Sequence, residues 1–377
     1  LLQLAFDVDG GSVVPSKLGA HFARCRWVDV DAAFRAQSLD DFVLWARPSA
    51  NDMTTAMERF PLRADDGFSL SAMRWLPAGR PRAIVQISHG CAEHAGRYAS
   101  FAEACVARGL AVYAHDHRGH GGSIDENTPR GHYADHDGWS KVVGDLGTVN
   151  RHARAEHPDL PVFLLGHSMG SFIARAYLIA HGGELAGAIL SATGWRAGVG
   201  NLLCQWFARR QVKKLGVRTP SPFMSKLIFG SFNVQFAPTR THFDWLSRDP
   251  KMVDSYIADP LCGFDCTGKL WEDLLGGAYA LEKQENQRER LARLPLFLLA
   301  GTRDPVSIGG FANTQILARY RAAGNTDITN KRYPGARHEM LNETNREEVT
   351  ADLLAWIDAR VKTRVRETST PSERDVA

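Results

Sequence analysis

The stretch Pro161 to Arg175 leaves this chain few folds to choose from. Val162-Phe163-Leu164-Leu165 is a short apolar run of the length of a buried strand. Gly166-His167-Ser168-Met169-Gly170 follows at once, and then Phe172, Ile173, Ala176, Tyr177 and Leu178 keep helical spacing. Strand, tight turn with a serine at its tip, then helix is the context that a Gly-x-Ser-x-Gly nucleophile elbow requires. The reason is steric. The serine must take a strained backbone conformation, and glycines two residues before and after let strand and helix pack that closely. The hydroxyl then stands above the sheet edge, at a helix N-terminus whose free N–H groups favour a developing oxyanion. The alternative is a plain Gly/Ser turn between a strand and a helix, and the flanking pattern favours the elbow.

Around this stretch strands and helices alternate. Arg59–Arg63 and Phe68–Trp75 read as a hairpin about Asp65-Asp66-Gly67. Strands follow at Ala83–Ser88, Leu110–Ala114, Leu185–Leu190, Leu294–Gly301 and Asp327–Tyr333. Helices are expected at Tyr98–Arg108, Trp139–Glu156, Phe311–Ala323 and Glu347–Val361. The alternation predicts a mostly parallel sheet covered by helices on both faces, with the opening hairpin at one edge. It lapses over 195–290, a segment rich in Trp and Phe and too apolar for a solvated linker. That segment reads as a mainly helical cap over the C-terminal ends of the strands, where open α/β sheets bind ligands. The core is then 57–194 with 291–362. Residues 1–56 read as an N-terminal extension: either the start lies near Met53 and what precedes it is an appendage or poorly ordered, or the extension is genuine. The charged, Ser/Thr-rich 363–377 reads as a disordered tail.

A serine hydroxyl needs a neighbouring base. Downstream of Ser168 stand His181, His242 and His338. His181 lies along the helix after the elbow and His242 lies in the cap. His338 follows the last strand, where its loop can reach over the serine, so it is the expected base. The imidazole needs a carboxylate to fix its tautomer and stabilise its cation. Asp304, just past the strand 294–301, fits, and the strand ending near Leu190 is followed by no acid. The chain order Ser168, Asp304, His338 is the one expected with this elbow. Two backbone N–H groups should hold the oxyanion: that of Met169, directly after the serine, and that of Cys91 in the loop His89-Gly90-Cys91. Gly166, Gly170, His89 and Gly90 support these turns. The Cys91 side chain is read as a small residue shaping its loop.

Three motifs together resemble those of the monoacylglycerol lipase and lysophospholipase group of α/β-hydrolases. They are His89-Gly90-Cys91-Ala92-Glu93-His94-Ala95-Gly96-Arg97-Tyr98, Asp116-His117-Arg118-Gly119-His120-Gly121-Gly122-Ser123 and Gly166-His167-Ser168-Met169-Gly170. The resemblance covers about 57–362 and implies the α/β-hydrolase fold and acyl-ester hydrolysis of a lipid-like substrate, with no cofactor. Cys91 departs from the small apolar residue common at that position. The departure leaves the mechanism intact, because the proposed donor is backbone. The cap resembles that group less recognisably, so the substrate is the least constrained part of the expectation.

The remaining features narrow the partners. A net charge of +3 gives no footing for nucleic acid. The six cysteines are scattered, with Cys262 and Cys266 read as structural thiols, and a reducing, cytoplasmic setting fits them. No apolar run reaches the length of a membrane span. In the cap, Leu202, Leu203, Trp206, Phe207 and Leu215 are interleaved with Arg209, Arg210, Lys213 and Lys214. That pattern suits either transient contact with an anionic membrane surface or an ordinary helix packed on the core. His115, Asp116, His117 and His120 invite a metal reading, but a binuclear His-x-His-x-Asp-His set needs aspartate where Gly119 stands, so no metal is expected. A dehalogenase or epoxide hydrolase would carry aspartate at position 168. An aminopeptidase on the same scaffold and a non-catalytic lipid-binding protein remain as alternatives.

Overall fold

The computed structural model describes residues 57–194, 199–285 and 291–369. The expected extension 1–56, with Met53, lies outside them, as do 370–377. The elements in chain order are β1 (Glu58–Arg63), β2 (Ser69–Trp75), β3 (Ala83–Ser88), α1 (Ala99–Val106), β4 (Leu110–His115), α2 (Gly138–Glu156), β5 (Val162–His167), α3 (Met169–His181) and β6 (Gly187–Ser191). After β6 come α4 (Val199–Leu215), α5 (Pro222–Phe229), α6 (Pro250–Ala258) and α7 (Gly268–Gln284) without an intervening strand. The alternation then resumes with β7 (Leu296–Gly301), α8 (Phe311–Ala322), β8 (Ile328–Tyr333) and α9 (Arg346–Ser369). The last helix therefore continues past Val361, into the segment expected to be a tail.

The strands form one sheet in the order β1-β2-β4-β3-β5-β6-β7-β8. β1, β2 and β4 pair antiparallel, and β4 through β8 pair parallel. This is the α/β-hydrolase fold. Every residue of β3, β4, β5, β6 and β7 is buried, which is why these strands read as unbroken apolar runs rather than alternating ones. The alternation instead sorts side chains between two cores. Ile84, Leu164, Leu190 and Leu298 face the layer holding α2 and α3. Val85, Phe163, Ile189 and Leu299 face the layer holding α1 and α9.

Two features of this sheet position the site. The chain runs from β3 to β4 on one side and returns to place β5 on the other, so β3 and β5 are neighbours, with Ser88 opposite Gly166. The loops after β3 and β5 therefore leave the sheet side by side at a topological switch point. The insertion between β6 and β7 also starts and ends on neighbouring strands, with Ser191 opposite Leu299. Its helix α5 opens on Pro222 behind a Ser221 cap, and α7 opens behind Thr267, whose hydroxyl accepts the Leu270 N–H at 3.0 Å. A buried ion pair joins Arg175 of α3 to Glu285, just past α7, at 2.7 and 2.9 Å.

Candidate active site

Ser168 sits between β5 and α3 with φ 50° and ψ −117°, a conformation that non-glycine residues rarely adopt. Its surroundings hold it there. The Ser168 N–H donates to the Ser191 carbonyl at 3.0 Å, and the Ser168 carbonyl accepts the Ser171 hydroxyl at 2.5 Å. A Cβ on Gly170 would lie 2.1 Å from the Ser88 carbonyl oxygen, and one on Gly166 would lie 2.6 Å from that of Gly170. The two glycines thus let strand, helix and the loop after β3 meet around a half-buried serine.

The structure brings Asp304 and His338 together although they follow different strands. His338 is 2% exposed and its Nδ1 lies 2.8 Å from Asp304 Oδ1. Asp304 also accepts the N–H groups of Val306 at 3.0 Å and Ser307 at 3.2 Å, which fixes the carboxylate before the histidine is considered. With Nδ1–H given to Asp304, Nε2 is left as the basic nitrogen. The ring is held between His167 and Trp245, at centroid distances of 4.8 and 4.9 Å. His167 is itself held down to about 4 by burial and by the neighbouring His338, so it is neutral. Of the other histidines considered, His181 pairs with Glu184 at 3.0 Å at the end of α3. His242 reaches the cavity wall from the insertion.

The loop after β3 is pinned from behind. His89 Nδ1–H donates to the Gly90 carbonyl at 2.7 Å and Nε2 accepts the His117 N–H at 2.9 Å. Burial keeps His89 neutral, as that pattern requires. Asp116 accepts the N–H groups of Ala95 at 2.9 Å and Gly122 at 2.8 Å, and it pairs with Arg59 at 2.8 Å. The histidine-rich segment 115–120 is therefore a clamp between the loops after β3 and β4.

Glu93, Arg97 and Glu339 form a second tie, which the sequence pattern does not assign. Glu93 accepts the Gly90 N–H at 2.5 Å and the Tyr98 hydroxyl at 2.8 Å. Arg97 bridges Glu93 at 2.5 Å to Glu339 at 2.5 and 2.7 Å. Burial alone would raise the Glu93 carboxyl, but Arg97 and the nearby histidines hold it low, so it stays ionised. The bridge ties the loop carrying Cys91 to the residue after His338. In the sequence, Glu93 and Arg97 stand out only by lying within the motif His89–Tyr98 and by their Glu-x3-Arg spacing.

A cavity of about 600 Å³ opens over Ser168 and His338, with Glu93, Asn233, His242 and Asp265 among its polar lining. A second of about 340 Å³ adjoins it at Cys91, Ser168 and Phe229, lined by Phe172, Leu227, Phe232 and Trp271. Residues 222–275 supply much of both walls. The insertion is fastened to the loop after β3 by the Ala92 carbonyl, which accepts the Tyr256 hydroxyl at 2.8 Å and the Gly263 N–H at 2.9 Å.

The geometry has counterparts among known proteins. The profile of the family described as "Serine aminopeptidase, S33" matches residues 79–345. A monoacylglycerol lipase of Mycolicibacterium smegmatis is 35% identical over 288 residues, covering 75% of this chain and 90% of its own. Human monoglyceride lipase is 30% identical over 313 residues, covering 79% and 89%. Among solved structures, a thermostable carboxyl esterase of Bacillus coagulans in complex with glycerol superposes with a TM-score of 0.74 at 26% identity, covering 82% of this chain and all of that one. A soluble variant of the Saccharomyces cerevisiae monoglyceride lipase shares the fold with a TM-score of 0.63 at 21% identity, covering 82% and 96%. With the profile spanning most of the chain and relatives matched over nearly their full length, the chain belongs to the serine aminopeptidase family of α/β-hydrolases, in its monoacylglycerol lipase-like group.

Proposed function

We propose that the chain hydrolyses a lipid-like carboxylic ester, such as a monoacylglycerol or lysophospholipid, through an acyl-enzyme on Ser168. The observation that carries this reading is the meeting of two unlike cavities at one strained serine. The 340 Å³ cavity, walled by aromatic and aliphatic side chains, suits an acyl chain, at about 0.8 kcal/mol per buried methylene. The larger, more polar cavity suits a hydroxylated alcohol. His338 Nε2 takes the Ser168 proton as Oγ attacks the acyl carbonyl. The oxyanion rests on the N–H groups of Cys91 and Met169, the latter at the first position of α3, where no carbonyl four residues back competes. His338 then protonates the leaving alcohol. Water, activated by the same nitrogen, releases the acid.

The family's aminopeptidase name keeps an amide-cleaving reading alive. A substrate panel separates the readings: monoacylglycerols of graded chain length, lysophospholipids, short p-nitrophenyl esters and an aminoacyl amide. Turnover of the acylglycerols above the short esters is expected. Turnover of the amide alone would replace the lipase reading with a peptidase one, and lipid binding without turnover would leave a binding protein.

We also propose that the insertion rests on a membrane surface while it takes up substrate. No helix among the described residues is long and apolar enough to cross a membrane. Leu202, Leu203 and Trp206 of α4 are 47, 54 and 49% exposed, and Phe223 of α5 lies beside them. Arg210 packs over the Trp206 ring at 4.8 Å, and Arg209, Lys213 and Lys214 flank the patch. Such a face gains from apolar insertion and from anionic lipid together. Co-sedimentation with vesicles containing phosphatidylserine should exceed that with phosphatidylcholine alone, and L203S/W206S should abolish the binding while sparing hydrolysis of a soluble short ester. Equal binding by that variant would sink the proposal.

A further inference from the structure

Cys91, His120 and Cys266 are far apart in sequence, yet each presents one donor atom to a common point, and these atoms all lie within 4.8 Å of one another. They come from three different loops: the one after β3, the one after β4, and the segment leading into α7. The Cys91 and Cys266 sulfurs are 3.6 Å apart. His120 is fully buried, and its Nδ1–H donates to the Arg118 carbonyl at 2.9 Å. That bond forces the ring lone pair onto Nε2, which has no hydrogen-bond partner among the described residues. A buried imidazole whose far nitrogen is tied to a carbonyl, and whose near nitrogen is bare, has the orientation of a metal ligand.

We propose that Cys91, His120 and Cys266 bind a thiophilic d10 cation, with Zn2+ as the working example, and that its binding inhibits ester hydrolysis. The distances suit the ion. Zinc–sulfur bonds of about 2.3 Å in tetrahedral array set a sulfur–sulfur edge of about 3.8 Å, close to the 3.6 Å found. Two thiolates and one neutral imidazole balance a 2+ ion, so the buried site carries no net charge. The donors are soft, which selects against magnesium and calcium.

The loops are fixed relative to each other without an ion. The Thr267 N–H donates to the Gly131 carbonyl at 2.8 Å, and the Gly131 N–H donates to that of Gly119 at 2.7 Å. A Cβ on Gly131 would lie 2.8 Å from Cys266 Cα. Access exists because Cys91 lines both cavities over Ser168. The inhibitory half of the proposal rests on the reading of the Cys91 N–H as an oxyanion donor, since a metal on its sulfur draws that residue toward His120. The binding half does not depend on it.

The test uses the full chain, reduced with a phosphine and freed of metal. Co2+ serves as probe, because thiolate ligation gives a near-ultraviolet charge-transfer band that is read without substrate. One equivalent of Co2+ should produce the band, and Zn2+ should displace it. Cys266→Ala, a small apolar replacement outside the cavity walls, should lose the band and keep basal ester hydrolysis. It should need at least about tenfold more Zn2+ for half-inhibition. His120→Asn, which preserves the donor to Arg118, should weaken both effects and guards against a folding defect in the first variant. The proposal is overturned if the wild type gives no band, if both variants bind and respond as the wild type does, or if the protein isolated before reduction holds a Cys91–Cys266 disulfide. An absence of ester turnover with an intact, Cys266-dependent band would fault the functional reading and leave the metal site standing.

Discussion

Ser168→Ala should lower kcat for the preferred ester by about 10⁶-fold while KM changes little. The hydroxyl is the only group removed. Alanine faces the same strain at φ 50° as serine does, and the bonds that hold the turn use the Ser168 backbone. Neither the fold nor the two cavities should change. On the proposed mechanism, what remains is ester bound beside the N–H groups of Cys91 and Met169, a remnant of catalysis worth about 10³–10⁴-fold over water. The loss is in the chemical step because no covalent bond to the acyl carbon can form. Steady-state kinetics with one soluble ester and one monoacylglycerol decide the matter, with mass spectrometry for an acyl adduct on the wild type. Retention of more than about 1% of wild-type kcat would remove Ser168 from the nucleophile's role.

Asp304→Asn should cost about 10⁴-fold in kcat. Asp304 receives three donors: Val306 N–H and His338 Nδ1–H on one oxygen, and Ser307 N–H on the other. An amide has one acceptor oxygen. With its NH2 toward Ser307, two donors face each other and the negative charge that stabilises the His338 imidazolium is gone. With its NH2 toward His338, the imidazole is driven to the tautomer that carries its proton on Nε2, facing the serine it should deprotonate. Both arrangements fail, by different routes, and neither disturbs the cavities, so KM should hold. A measured loss below about tenfold would mean that Asp304 only caps its turn.

The framework was legible in the sequence because a parallel strand covered on both faces must be apolar throughout. Val162–His167 and Leu296–Gly301 stand within a residue or two of where the apolar runs placed them. Asp304 and His338 were findable because strand-end loops are short, so an acid or histidine just past a strand has few places to be. The Glu93–Arg97–Glu339 bridge was not findable. Arg97 and Glu339 are 242 residues apart, and their meeting depends on how two loops lean toward each other. Cys91, His120 and Cys266 were hidden for the same reason, since ligand spacing carries information only when the donors share a turn. The helix α1 begins at Ala99, one residue after the expected Tyr98, because a 3₁₀ turn, Ala95–Tyr98, leads into it. The polar composition after Val361 reads as tail, whereas the closing helix continues to Ser369.

The insertion leaves β6 and returns on β7, neighbouring strands in register at Ser191 and Leu299. Whatever fills that gap has only to span one strand spacing, about 4.8 Å. Doubling the length of a flexible connection there adds only about 0.6 kcal/mol of closure entropy. The sheet sets the strand ends from which Ser168, Asp304 and His338 project, and the insertion adds Trp245 against the His338 ring. On the proposed function, the part of the chain that would select a substrate is thus topologically detachable from the part that would react with it. An insertion exchanged at this point would then have to supply its own packing for the His338 ring.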